Sequence, residues 1–200
     1  MRSANPMLRP VLTARVPAAA GLTITQALRA DHNAVRALIR RVLANPSLAP
    51  VLYPRISNTL KRHSHAEEQT YYNALVRIPA LREQIRLMQR EHATLTGMLR
   101  RLDGTAYNHP VWMSRFNAAK NALGNHLLFE EDRVFPESER LLSAAQQRIL
   151  AARYRAIMNG PQRRVPAGRT VAPRRLPGRL FRRPRGLLDS ALDMLFPVNR

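Results

Sequence analysis

The sequence predicts an all-α protein: an up-down-up-down four-helix bundle with a short fifth helix and a disordered basic tail. Apolar residues in the middle of the chain recur with the 3.6-residue period of an amphipathic helix, without strand-like alternation. Four segments of about 20 residues follow one another with short breaks, which fold most simply as a bundle. A third observation is the pattern His-x3-Glu-Glu-x3-aromatic, which occurs twice, 63 residues apart.

The first helix is predicted to begin at a capping box formed by Thr23 and Gln26 and to end at Asn45-Pro46. Its apolar stripe consists of Leu28, His32, Val35, Ile39 and Val42. The second helix is expected to start near Pro54 and to run to about Val76. Its stripe consists of Ile56, Leu60, His63, Glu67, Tyr71 and Ala74.

Pro79 separates the second helix from the third, which Gly104 is expected to end. The third stripe consists of Leu81, Ile85, Met88, His92, Leu95, Leu99 and Leu102. Pro110 can occupy the first turn of the fourth helix, and Pro136 is expected to end it. The fourth stripe consists of Trp112, Phe116, Ala119, Leu123, His126, Glu130 and Val134. Ser138 is then expected to cap a shorter fifth helix that runs to about Met158.

The composition limits which kind of site this bundle can carry. The chain has no cysteine, which excludes disulfides, thiolate zinc sites and iron–sulfur clusters. No run of about 18 apolar residues is present, so no transmembrane helix is expected. We expect a cytoplasmic protein, although the arginine-bearing, acid-free residues 1–21 leave a transit peptide open. Any metal must be held by histidine and carboxylate, which suits iron, manganese or zinc.

Each of the four predicted core stripes contains one histidine, and two also contain a glutamate. A single histidine on such a stripe is more often an ordinary core residue than a ligand. The repeated conjunction is different, because two buried carboxylates without a lysine or arginine on the stripes would be costly. A pair of metal ions would neutralise them. The candidate metal ligands are therefore His32, His63, Glu67, His92, His126 and Glu130.

Four further residues near the motifs are not assigned as ligands. His65 lies on the far side of the second helix from His63, and His109 lies in a loop, so both are expected at the surface. Glu68 and Glu131 point about 100° away from the ligand stripe. We expect them to be solvated charges, with the alternative that they orient a histidine N–H.

These residues resemble the hemerythrin-like HHE cation-binding domain family over about residues 24–156. The resemblance implies a non-haem di-iron centre in which the carboxylates bridge two irons and the histidines cap them. The oxygen-carrying hemerythrins have a fifth histidine on the third helix, where this chain has Thr96. The resulting open coordination positions favour reaction with or sensing of O2, NO or peroxide, or iron handling, over O2 storage.

The ends of the chain are predicted to differ from the bundle. We expect a flexible segment at 1–22, the bundle at 23–158, a disordered Arg/Pro-rich linker at 159–186 and a short amphipathic segment at 187–200. The linker carries much of the net charge of +20. An alternative function follows from it: a basic-tailed module that binds nucleic acid or a membrane surface, with a purely structural bundle.

Overall fold

The computed structural model describes residues 21–161, which are mostly α-helical and contain no strand. The main helices within these residues are α1 (Ile24–Ala44), α2 (Ala49–Glu67), α3 (Arg82–Asp103), α4 (Trp112–Phe129) and α5 (Ala144–Asn159). The predicted all-α fold class with a fifth helix is confirmed. Most of the predicted N-terminal segment and basic linker, and all of the C-terminal segment, lie outside the described residues.

The helix ends follow local sequence signals. The Thr23 hydroxyl accepts a hydrogen bond from the Gln26 N–H, and the Gln26 side chain accepts one from the Thr23 N–H, which completes the predicted capping box. Asn45 ends α1 and Gly104 ends α3, as predicted. A second capping box, formed by Ser143 and Gln146, begins α5.

Two of the helices continue beyond their α-helical part through a π-helical turn. α2 passes through Glu68–Tyr72 into a last turn at Asn73–Leu75. α4 passes through Glu130–Val134 into a further helix at Phe135–Leu141. The two π turns occupy nearly the same place in the two copies of the sequence repeat, immediately at the buried glutamates. Such turns are rare in proteins and frequently mark functional sites.

Two predicted helix boundaries were wrong. α2 begins at Ala49 rather than near Pro54, because a 3₁₀ turn at Pro46–Leu48 leads directly into it. Pro54 therefore lies inside the helix, where it removes one hydrogen-bond donor. Pro136 does not end the fourth helix, since it falls at the first turn after the π segment, where the regular hydrogen-bond ladder is already interrupted.

The predicted cap of the fifth helix was also misplaced, because Ser143 rather than Ser138 fills this role. Ser138 is fully buried in the helix that follows the π turn of α4. Its hydroxyl donates a hydrogen bond to the Phe135 carbonyl and pairs with the Tyr71 hydroxyl. The buried serine therefore joins the extensions of α2 and α4.

The core is divided into two apolar clusters with a polar layer between them. In α1, Leu28 belongs to the first cluster and Val35 to the second, and His32 lies between them. In α3, Met88 and Leu95 are divided in the same way. α1 packs on α2, α3 packs on α4, and α5 covers α1 and α2. The packing therefore encloses a layer of histidines and glutamates between two dry regions.

No described helix is both long and apolar enough to span a bilayer.

Candidate metal centre

The structure brings all six predicted ligands into the polar layer, and all six side chains are buried. Glu67 and Glu130 are 0% exposed, and each of the four histidines is at most 4% exposed. Their nitrogen and oxygen atoms form two groups in which three ligand atoms lie within 4.8 Å of one another. We call the group of His32, His63 and Glu130 site 1, and the group of Glu67, His92 and His126 site 2.

Each carboxylate lies between histidines of both sites. Glu67 Oε2 is 3.4 Å from Nε2 of His63 in site 1 and 3.5 Å from Nε2 of His92 in site 2. Glu130 Oε2 likewise lies 3.5 Å from the Nε2 atom of one histidine in each site. A carboxylate placed in this way can bridge two cations. The arrangement therefore fits a dinuclear site better than two separate ones.

Several atoms that face the centre of the layer lack hydrogen-bond partners, whereas Nε2 of His92 and Nε2 of His126 lie 3.0 Å from each other. The buried atoms without a partner include Nε2 of His32 and His63, both carboxylate oxygens of Glu67, and Oε2 of Glu130. Buried polar atoms are normally paired, because an unpaired one costs about 1–3 kcal/mol. Several in one place need a common explanation. Cations held between them would supply it, so the donor set fits a metal pair.

The outer nitrogen of each site histidine is held by an acceptor. His32 Nδ1 is 2.7 Å from Glu131 Oε1, and His92 Nδ1 is 3.1 Å from Glu68 Oε1. A carboxylate can only accept, so Nδ1 carries the proton in both rings. The Nε2 lone pairs are therefore directed into the layer, which is the tautomer that a metal ligand needs.

The other two histidines are held from α3 and α5. His126 Nδ1 is 2.9 Å from Glu91 Oε2. His63 Nδ1 is 2.7 Å from the Tyr154 hydroxyl, which in turn donates to Asp31 Oδ2 at 2.5 Å. Because the tyrosine proton is used for the aspartate, its oxygen accepts from His63. All four imidazoles are thus fixed in one tautomer, and the interhelical contacts also fix the orientation of each ring.

Two of these contacts correct the prediction that Glu68 and Glu131 are solvated charges. Both accept from a buried histidine, and Glu131 also binds the Arg36 guanidinium at 2.8 Å. The physical reason is that a side chain 100° from the ligand stripe lies at the edge of the core face. At that edge it contacts the neighbouring helix and remains partly exposed to water.

The electrostatics favour neutral histidines and protonated glutamates in the metal-free site. Burial, then the neighbouring His63 and Arg36, lowers the pKa of His32 to about 2. Burial likewise lowers the pKa of the other three site histidines. Burial raises the pKa of both Glu67 and Glu130 to about 8. Cations would replace these protons as the counter-charge.

Aromatic rings from the repeat complete the walls of the centre. Tyr72 stacks on His92 with ring centroids 5.2 Å apart, and Phe135 stacks on His32 at 5.8 Å. The Tyr72 hydroxyl also donates a hydrogen bond to Glu130 Oε1. Each of the two aromatic residues of the repeat therefore covers one face of a site histidine.

A small cavity reaches the centre between α2, α3 and α4. Leucines from the three helices line it, together with Ser64, Thr96, His63, His92 and His126. Thr96 therefore faces the same space as three of the candidate ligands. This placement fits the expectation that position 96 corresponds to a missing histidine.

The two histidines predicted to lie at the surface are exposed: His65 on α2, and His109 before α4. Sequence reasoning missed the outer acceptors Asp31, Glu91 and Tyr154. A signal existed for the first two, since an acidic residue precedes each solitary histidine. For Tyr154 no comparable signal existed in the sequence, because nothing beside this tyrosine of α5 marks it as the partner of a histidine.

These features define a helical-bundle protein with a candidate dinuclear metal site. Residues 23–138 match the family described as the hemerythrin HHE cation binding domain, so the chain belongs to that family, as the sequence motifs predicted. This domain binds metal cations, and the two His/Glu groups could hold them.

One solved structure and the curated proteins complete the comparison. A hemerythrin HHE cation binding domain-containing protein from Mycobacterium kansasii is similar with a TM-score of 0.60. The sequence identity is 23%, over 68% of this chain and 85% of that one, so the likeness concerns the fold. No curated protein gives a significant match.

Proposed function

We propose that this protein is a non-haem di-iron protein that binds, senses or reacts with O2, NO or peroxide, or handles iron. The observation that carries the proposal is the convergence of four buried imidazole nitrogens and two carboxylates in two linked three-ligand groups. The ligand types suit iron, as they suit manganese and zinc. Iron is preferred because the motifs match a family whose resemblance implies a di-iron centre.

The chain contributes more than the six ligands. The outer acceptors hold each imidazole with Nε2 directed inward. Glu67 and Glu130 are placed to hold both ions at once, and the two apolar clusters exclude water from either side. When bound, an iron pair supplies redox chemistry and open coordination positions for a small ligand. Such a ligand could approach the metal site through the cavity that Thr96 lines.

The proposed ligand set can be tested by comparing four variants. Glu67→Ala and Glu130→Ala should each lose most of the bound iron, because each carboxylate contacts histidines of both sites. His65→Ala and His109→Ala should retain it, since both side chains are exposed and absent from the two groups. The measurement is metal analysis together with the near-ultraviolet charge-transfer bands of the oxidised protein. Equal iron loss from Glu67→Ala and His65→Ala would contradict the assignment.

The alternative function rests on sequence alone. The Arg/Pro-rich stretch at 161–185 could bind a polyanion such as nucleic acid or an anionic membrane. Nearly all of it lies outside the described residues. Binding of the full chain to a nucleic acid and to anionic vesicles, followed as the salt concentration rises, would test it. The cytoplasmic location also stays a prediction.

A further inference from the structure

The metal centre has an approximate internal twofold relation that follows the sequence repeat. The corresponding residues are His32 and His92, His63 and His126, and Glu67 and Glu130. Each glutamate makes equivalent contacts, at 3.4–3.5 Å, with one histidine of each site. The two sites can therefore be compared directly, and two differences between them bear on how strongly each attracts a cation.

The first difference is the charge around site 1. Its outer carboxylates are Glu131, which holds His32 directly, and Asp31, which acts through the Tyr154 hydroxyl. Glu131 also pairs with Arg36 at 2.8 Å and with Arg29 at 3.8 Å. Two negative charges are thus opposed by two positive ones, and the outer surroundings of site 1 are close to neutral.

The surroundings of site 2 are negative. Its histidines are held directly by two carboxylates, Glu68 at 3.1 Å and Glu91 at 2.9 Å. Within residues 21–161, neither forms an ion pair with a lysine or arginine. Both side chains are more exposed than Glu131, at 37% and 38% against 16%, so water screens part of their charge. The direct hydrogen bond to each imidazole nevertheless raises its basicity as a ligand.

The second difference concerns the two glutamates. The Tyr72 hydroxyl donates to Glu130 Oε1, which uses one of the lone pairs available to site 1. At the corresponding position of the repeat, Phe135 has no hydroxyl to donate to Glu67. Both Glu67 oxygens lack a hydrogen-bond partner. Glu67, which is grouped with the site 2 histidines although it also contacts His63, therefore offers a cation two oxygens without a hydrogen-bond partner, against one from Glu130.

Both differences act in the same direction. We propose that the two metal positions are unequal, and that site 2 (Glu67, His92 and His126) takes the first ion and holds it more tightly than site 1. The inference rests on the proposed binding of two ions. It implies a stable one-ion state at one equivalent of metal, with site 1 filling at higher metal concentration.

The test is an anaerobic titration of the metal-free full chain with Co²⁺, followed by visible absorption and calorimetry. Two resolved binding steps are expected. Glu91→Gln removes a site 2 charge and should weaken the first step about 10- to 100-fold. Glu131→Gln is the matched control at site 1, and it should weaken only the second step. Added salt should narrow the gap between the steps, since the charges responsible are partly exposed.

Helical circular dichroism of the metal-free variants checks that they fold. If Glu131→Gln does not fold, Tyr154→Phe serves as the second site 1 variant, with the same expected result. Two Co²⁺ ions binding in one unresolved step, or a weaker first step in either site 1 variant, would overturn the inequality while leaving the dinuclear site intact. Absence of any Co²⁺ binding would instead overturn the proposed function as well.

Discussion

The substitution Glu67→Gln should stabilise the metal-free protein while preventing normal metal binding. Glu67 is completely buried, and burial raises its pKa from 4.5 to about 8. At pH 7 the carboxyl group must take up a proton when the metal-free chain folds. With about 1.36 kcal/mol per pKa unit, this costs roughly 3 kcal/mol. A neutral amide avoids that cost.

The sign of the pH dependence follows from the same shift. The folded-state pKa lies above the unfolded value, so the carboxyl group carries no penalty below pH 4.5 and its full penalty above pH 8. The contribution of Glu67 to the stability of the metal-free wild type should therefore fall between these limits. The four site histidines act in the opposite direction, because burial lowers their pKa and the folded state gains stability as the pH rises through 6.5. The prediction therefore concerns the difference between the two proteins: the advantage of the Gln variant over the wild type should grow as the pH rises from 4.5 to about 8.

The assay is urea or thermal unfolding of both metal-free proteins at pH 5 and pH 7. At pH 7 the variant should melt higher by roughly 10 °C, with little difference at pH 5. Added iron should stabilise the wild type much more than the variant. Glu83→Gln, at a side chain that is 77% exposed, is the control and should change neither result. A variant no more stable than the wild type at pH 7 would refute the reasoning.

Three further results are expected. Metal binding at pH 7 should release about two protons, mainly from Glu67 and Glu130, whereas binding at pH 9.5 should release almost none. An indicator dye measures this release, and equal release at both pH values would contradict the raised pKa of the two glutamates. Thr96→His should raise iron retention and slow oxidation of the reduced protein by O2 in stopped-flow measurements, provided that the imidazole fits the cavity. An unchanged oxidation rate in a folded, iron-loaded variant would mean that position 96 is not the vacant ligand position. Arg62→Ala should cost about 1–3 kcal/mol of unfolding free energy, because Arg62 donates to the Met158 and Gly160 carbonyls at the end of α5; the exposed Arg86→Ala is the control.

The fold and the inner ligands could be predicted because helical periodicity acts locally. A histidine on an apolar stripe must enter the core wherever the neighbouring helices lie, so the burial of His32 and His92 followed from spacing alone. The same is true of the glutamates at i+4 within the repeat. The capping box at Thr23 was readable for a similar reason, since its partners are three residues apart.

The outer contacts could not be predicted because they depend on which helices are neighbours. The sequence predicted that Glu68 lies beside the ligand stripe, but it did not show that His92 of α3 lies on that side. The link from Tyr154 to His63 spans 91 residues and requires α5 to pack on α1 and α2. The π turns were missed as well, because the sequence repeat was interpreted with regular 3.6-residue geometry.

The proline signals show a different limit of local reasoning. The sequence predicts helix boundaries at Pro54 and Pro136, because proline removes a hydrogen-bond donor. In the structure both are contained within helical segments. At Pro136, the π turn has already interrupted the ladder, and burial of Phe135 and Ser138 on the extended helix favours its continuation.

The number of metal ions per chain tests the dinuclear site most directly. The chain, freed of metal and reloaded with Fe²⁺ without oxygen, should retain close to two irons after removal of excess metal. The basis is that site 1 and site 2 each offer three ligands and share two carboxylates. Elemental analysis against protein concentration gives the ratio. A ratio near two is the predicted result, whereas no retained iron, or a single ion that no excess of metal can raise to two, would contradict the dinuclear centre.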